Sequence, residues 1–443
     1  MRFGPLAYGE MGVYAAMMPT ETILAREREC QHCGLFQHMP PLTPGTSACC
    51  RRCDSVLRHR RSDSMNRALA CALAALFLFG MALQLPFLDV RAVGKTYHAT
   101  VFTGPGVLER RGMWEISVVV LTTLVAMPTL QFVLLTAVLL GVRMRRPPPG
   151  LARLFGYVER IRPWSMIEVF LLGVFVAYTR LRAIAEVDVG PALFALGGVM
   201  LCLVAADAQL DHEAVWEALE SRGLLHLRPP PPGGRLIGCD CCRLTLRAPS
   251  GWPCPRCGRR LRHRKRQSLV RAWAFMAAAT ALYLPANIYP FITVIRFGQG
   301  QPSTIAQGVV ELIQVQMWPL ALLVFLASIT VPLLKLVGLS GMLLMTQNGS
   351  PRWLLNRTRL YRVLEAVGRW SMIDVFMLTV LVAVVRLGFV ATVLPGPGAI
   401  AFSAVVVFTM LATEAFDPRL MWDMAPQVLP GVVTPELGME PAR

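Results

Sequence analysis

Trp164-Ser165-Met166-Ile167-Glu168-Val169-Phe170 returns later in the chain as Trp370-Ser371-Met372-Ile373-Asp374-Val375-Phe376. The offset is 206 residues, and Arg180/Arg386, Asp211/Asp417 and Trp216/Trp422 keep it. Upstream the offset is 204, matching Pro86-Phe87 with Pro290-Phe291, Met113-Trp114 with Met317-Trp318, and Pro128 with Pro332. A colinear series of this kind is an internal duplication. Each heptapeptide heads a long apolar run, and there are eight such runs: about 66–88, 114–142, 164–184, 190–210, 269–292, 317–345, 370–392 and 397–416. Each is near the roughly 20 residues that cross a bilayer. Charged residues make up 16% of the chain, against about a quarter in soluble domains, and a soluble α/β protein would break the runs with polar faces. The expected fold class is an all-α polytopic membrane protein, with eight transmembrane helices in two parallel four-helix repeats. An even number of crossings gives both copies the same orientation, about an axis along the membrane normal.

The net charge of +17 invites a nucleic-acid reading, but its distribution argues against one. Segments 1–65, 143–163, 211–268, 346–369 and the tail hold 33 of the 44 Lys and Arg, whereas 89–113, 185–190, 293–316 and 393–397 hold five. The positive-inside rule then places both termini in the cytoplasm. The arginine rims also suit anionic lipid heads. Residues 1–27 lack the basic start and apolar core of a signal peptide. They read as a disordered leader, or as a start codon placed too early. The remaining expected units are cysteine module 28–62, membrane repeat 63–226, Pro/Gly linker 227–235, cysteine module 236–264, membrane repeat 265–425 and a disordered tail 426–443.

Cys30-x2-Cys33 is followed by Cys50-x2-Cys53, and Cys239-x2-Cys242 by Cys254-x2-Cys257. Two Cys-x2-Cys turns complete a tetrahedron of thiolates, so each repeat is expected to be preceded by a small β-type zinc ribbon. Gly34 and Gly258 suit the tight turn after the second cysteine of a pair. A reducing cytoplasm disfavours disulfides. Two structural zinc ions are the first reading, and rubredoxin-like iron is the alternative. Cys49 and Cys241 are extra neighbours, while Cys71 and Cys202 suit apolar packing.

Ionisable groups at bilayer depth mark function by default. Lys335 follows Pro332 within the sixth run, Asp374 and Arg386 lie in the seventh, and Glu311 precedes the sixth on the outer side. Lys335 and Asp374 can meet if the lysine extends toward the interface, and pairing would offset their charges. The first half has Gln131 at the lysine position but keeps Glu168 and Arg180. The plainer alternative is that Glu168 and Asp374 cap inner helix ends. Thr409, Thr413 and Asp188 would extend a polar path, Ser165 and Ser371 read as N-caps, and Asn287 as a bond to backbone at a helix end. Both Pro128 and Pro332 should kink their helices. No Walker loop, Gly-x-Ser-x-Gly or His-Glu-x-x-His occurs, so the chain does not read as an enzyme. No histidine lies in a membrane run, which argues against an intramembrane haem.

The paired cysteine modules, the two Trp-Ser-Met-Ile-[Glu/Asp]-Val-Phe segments and Pro285-x-Asn287 together resemble the paraquat-inducible protein A family, which includes the lipophilic envelope-spanning tunnel proteins. The resemblance covers about residues 28–425. It implies an inner-membrane partner of a mammalian-cell-entry (MCE) domain tunnel protein, handling phospholipid without an ATPase and drawing on the proton gradient. It also implies a polar network at Lys335, Asp374 and Thr409. A membrane redox protein with iron–cysteine centres and a passive anchor for an MCE partner are the competing expectations.

Overall fold

The computed structural model describes residues 27–92, 95–182, 186–225, 230–231, 233–296, 299–384 and 391–425. The expected leader apart from Glu27, the expected tail, and Arg386 lie outside the described residues. Eight helices are long and apolar enough to cross a membrane: α1 Ser64–Gln84, α2 Trp114–Gly141, α3 Leu151–Arg182, α4 Pro191–Gln209, α5 Ser268–Ile288, α6 Trp318–Gln347, α7 Leu354–Val384 and α8 Pro397–Ala415. Phe77, Phe194, Leu284 and Val337 stand exposed on these helices, as lipid-facing side chains should.

Helices α3 and α7 begin well before their heptapeptides. Leu151–Ile161 and Leu354–Gly368 are helical lead-ins, each followed by a 3-10 turn, Arg162–Trp164 and Arg369–Met372. The arginines of these stretches point to loops, but Leu151, Ala152, Phe155, Val158 and Ile161 form one buried stripe at helical spacing. Ser371 lies inside its 3-10 turn and Ser165 in a two-residue extended break after its own, and neither side chain is the expected N-cap. Both hydroxyls are buried with no hydrogen-bond partner.

Both expected kinks take one form. Five-residue π-helical segments, Thr122–Ala126 and Leu326–Thr330, run into the turns that hold Pro128 and Pro332. Proline offers no N–H and crowds the carbonyl four residues back, and a wider turn relieves both problems. The Thr123 carbonyl in the first such segment accepts the N–H of Met166, inside the heptapeptide, at 3.4 Å.

The all-α expectation needs correction outside the helices. Leu88–Ala92 pairs with Lys95–Ala99 and Glu186–Val189, and Ile292–Arg296 pairs with Gln299–Ser303 and Ala391–Pro395, making two antiparallel three-stranded sheets. Leu88, Val90 and Val187 point inward while Asp89 and Arg91 alternate with them, a period of two. Short helices Thr103–Arg110 and Ile305–Gln314 follow the hairpins. The two halves therefore share one element order.

Within each half α1 packs on α4 and α5 on α8, while α3 and α7 join the halves. Their seam is made by the repeated heptapeptide itself: the rings of Phe170 and Phe376 meet edge-on at 5.7 Å and 88°. At Gly173 a Cβ would fall 2.9 Å from Phe376 Cβ, so glycine sets the closeness of the two helices. Helix α7 is 83% buried over its apolar window, against 22% for α5, which makes α7 the centre of the bundle.

Candidate functional site

Each cysteine quartet is built on short hairpins, Glu27–Glu29 with Phe36–His38 and Ser47–Cys49 with Val56–His59 in the first module, and Arg235–Gly238 with Thr245–Ala248 in the second. The sulfurs of Cys30, Cys33, Cys50 and Cys53 are buried and lie within 4.8 Å of one another, and so do those of Cys239, Cys242, Cys254 and Cys257. The shortest separations are 3.5 Å for Cys30–Cys53, Cys33–Cys50 and Cys242–Cys254, and 3.6 Å for Cys239–Cys257. Four thiolates around one ion at about 2.3 Å would stand about 3.8 Å apart, so each quartet fits a single metal ion. The residue after each pair adopts a left-handed backbone: Gly34 and Gly258, as expected, but also Asp54 and Arg243.

The modules are crossed over the halves. The first quartet packs against Leu35, Leu57 and Trp422, with the Arg52 guanidinium 5.1 Å over the Trp422 ring. The second quartet packs with Phe155, Val158 and Trp216 of the first half, and Cys241 Sγ lies 3.7 Å from the Gly156 carbonyl. Cys49 is exposed. A buried ion network locks the arrangement. Arg419 reaches Asp417 and Asp240 at 2.9 Å and Glu29 at 3.3 Å, Arg264 reaches Glu29 at 2.8 Å, and Arg256 reaches Glu213 at 2.7 Å. Burial pushes the Glu29 carboxyl up despite Arg419 and Arg264. Burial also opposes ionisation at Asp417, but Arg419 outweighs it and holds that carboxyl low. Arg256 and Arg28 do the same for Glu213.

Lys335 is 1% and Asp374 2% exposed, yet among the described residues no ion pair joins them. Lys335 Nζ donates instead to the Gly368 carbonyl at 2.7 Å. Helix α7 changes register just after Gly368, which leaves nearby carbonyls short of partners, and the lysine supplies a donor. Asp374 Oδ2 has no hydrogen-bond partner, and Arg180 and Ser328 lie within electrostatic reach of it. Ser328 Oγ and Arg180 Nε are also buried without partners. Glu168 pairs across the seam with Arg369 at 3.2 Å, whereas among the described residues no ion pair joins Asp374 to Arg180. Gln131, the counterpart of Lys335, is likewise buried, and its Oε1 is unpartnered.

The other expected residues divide. Thr409 and Thr413 are buried on α8 and give their hydroxyl protons to Val406 and Thr409 carbonyls of their own helix at 2.9 Å. Glu311 is exposed on Ile305–Gln314, within electrostatic reach of Arg180. Asp188 belongs to a strand and pairs with Arg91 at 3.2 Å, away from this cluster. Asn287 donates to the Tyr283 carbonyl at 2.8 Å, as expected. Sequence reasoning noted Arg180 as a repeat match but did not choose it for the site; a charge at bilayer depth was the available signal.

A cleft of about 630 Å³ opens between the halves on the side of the cysteine modules, lined by Glu168, Lys265, Tyr361, Glu365, Gly368 and Thr413 among others. Its wall includes Gly368, the residue that holds Lys335, and a Cβ there would lie 3.8 Å from Nζ. The cleft comes within one residue of the buried ammonium.

A family model described as "Paraquat-inducible protein A" matches residues 65–220 and again 269–425. The intermembrane transport protein PqiA of Escherichia coli (strain K12) is 34% identical over 405 residues, covering 90% of this chain and 96% of that protein. The lipophilic envelope-spanning tunnel protein A of the same strain is 28% identical over 400 residues, covering 89% and 91%. A probable intermembrane transport protein of Haemophilus influenzae is 26% identical over 413 residues, covering 89% and 95%. No solved structure matches the chain. With each half matched by one family description and nine-tenths of its length aligned to a relative, this multi-pass membrane chain belongs to the paraquat-inducible protein A family.

Proposed function

We propose that the chain is the inner-membrane component of an MCE-type phospholipid transport system, with both termini in the cytoplasm. It loads or unloads lipid at the base of a periplasmic tunnel. The relatives' names supply the class of function. The observation that carries the mechanism is the incompletely satisfied polar cluster of Asp374, Arg180 and Ser328 at the seam between halves, with Lys335 held by one carbonyl nearby. A lysine or aspartate at bilayer depth costs roughly 3 kcal/mol, so stability alone does not account for such a cluster. In this reading the groups change partner or protonation as α3 and α7 shift, and the π-helical segments beside Pro128 and Pro332 are the compliant turns. Each cysteine quartet holds one zinc ion, and a four-thiolate site with no open position is structural. The work is transport rather than catalysis.

The test is the substitution of Lys335→Met and Asp374→Asn in cells that depend on this protein for their envelope barrier. Both variants are expected to be made, to retain the MCE partner in pull-downs, and to lose resistance to lipophilic detergents. A normal barrier in both would remove the cluster from the mechanism and leave a passive anchor.

A further inference from the structure

Seven arginines on the side of the cysteine modules are committed to carboxylates: Arg28, Arg58, Arg162, Arg256, Arg264, Arg369 and Arg419 all form ion pairs. Six others are not. Among the described residues, the side chains of Arg160, Arg259, Arg260, Arg262, Arg266 and Arg271 make no hydrogen bond or ion pair, and all six are exposed. They are not scattered. All six line one groove of about 670 Å³, which adjoins the cleft described above. Arg160 comes from α3 of the first half, three come from the second cysteine module, and Arg266 and Arg271 flank the start of α5.

The acids in this groove do not neutralise it. Asp240 is held by Arg419 at 2.9 Å and Glu159 by His212, which leaves the Glu414 carboxylate. Lys265 also lines the groove, but its Nζ donates to the Glu414 carbonyl at 2.6 Å. On the membrane side the lining turns apolar, with Phe275 of α5 and Leu411 and Ala415 of α8. The groove thus has a cationic mouth at the cytoplasmic ends of two membrane helices and an apolar floor along them. That is the shape of an anionic amphiphile, with phosphate at the guanidinium forks and acyl carbon below.

We propose that this groove is a binding site for the head of an anionic phospholipid of the cytoplasmic leaflet, clamped between the first half and the second cysteine module. The site rests on the membrane orientation proposed above but not on lipid transport, and it shares no residue with the Lys335 cluster. A soluble phosphate compound shares the headgroup chemistry, but it would leave the apolar floor unused.

The full chain, purified in mild detergent from membranes and moved into nanodiscs of phosphatidylethanolamine with added cardiolipin, provides the test. Lipid retained through purification is measured by mass spectrometry for wild type, for Arg262→Gln/Arg266→Gln/Arg271→Gln, and for the rim control Arg145→Gln/Arg146→Gln/Arg153→Gln. The groove variant is expected to lose about tenfold or more of the retained cardiolipin, while the rim control keeps it. The charge-preserving Arg262→Lys/Arg266→Lys/Arg271→Lys should retain most of it, which separates binding from misfolding. Equal loss in groove and rim variants, or none in either, would overturn the site as ordinary rim electrostatics. Thermal stabilisation of delipidated wild type by glycerol phosphate, as strong as that by cardiolipin and lost in the groove variant, would overturn the lipid in favour of a soluble anion.

Discussion

Arg419 is 2% exposed and touches Glu29, Asp240 and Asp417, so it ties the first module, the second module and the end of α8 to one guanidinium. Removing one partner from a buried charge network costs about 3–5 kcal/mol, because the remaining charges keep their desolvation penalty. Arg419→Met should therefore lower the melting temperature of the purified protein by several degrees; an unchanged melt would show that the network contributes little. The acids around it also set the response to pH. Asp417 and Glu213 lie below their ordinary 3.8 and 4.5, so their stabilisation is complete above those values and fades as pH falls through the lowered ones. Glu29, raised by burial, acts in the other direction, its contribution fading as pH rises. Melting temperature plotted against pH should keep a steep acid limb in wild type and flatten in Asp417→Asn. Gly173 governs a different contact: Gly173→Leu would drive a side chain into Phe376 and is expected to cost about 1–3 kcal/mol as overpacking, read as a lower melting temperature.

The crossed placement of the cysteine modules has a consequence in elements far from them in sequence. The first quartet rests on Trp422, whose Nε1 donates to Thr358 Oγ1 of α7 at 3.0 Å. Cys30→Ser should therefore raise amide hydrogen exchange in Leu420–Asp423 and Leu354–Gly368, in the second half, more than in Leu151–Ile161. The reverse pattern would contradict the crossing. Chelation should release about two zinc ions per chain and loosen both sets of elements; iron absorption that bleaches with reductant would favour the redox reading instead. The quartets were legible in the sequence because ligand spacing is local. Their crossing was not, because Trp422 and Phe155 carry no mark of which module will cover them. The lead-in helices are hard to read for a related reason: arginines, exposed at Arg153 and Arg160 but buried at Arg357, lower the hydropathy that defines α3 and α7. The proline kinks were readable, but the π register that absorbs them was not.

For the whole molecule, the duplication and the eight long apolar helices are legible from repeat offsets and hydropathy alone. The seam between halves was hidden in plain view, since the heptapeptide that revealed the duplication is also what packs the copies together through Phe170 and Phe376. The site was legible as a set of improbable charges, but not as partners. The sequence suggests that Lys335 and Asp374 pair, whereas Lys335 takes a backbone carbonyl, Asp374 Oδ2 has no hydrogen-bond partner, and Glu168 pairs across the seam with Arg369. Cross-half partnership cannot be read from a chain whose halves have not yet been docked. The most direct test is the rate of fluorescent phospholipid transfer by the chain reconstituted with its tunnel partner, comparing wild type with Asp374→Asn and Arg180→Gln. A fall of about tenfold or more in both, with assembly intact, is the predicted result. Wild-type transfer in both variants would contradict the claim that the polar seam moves lipid.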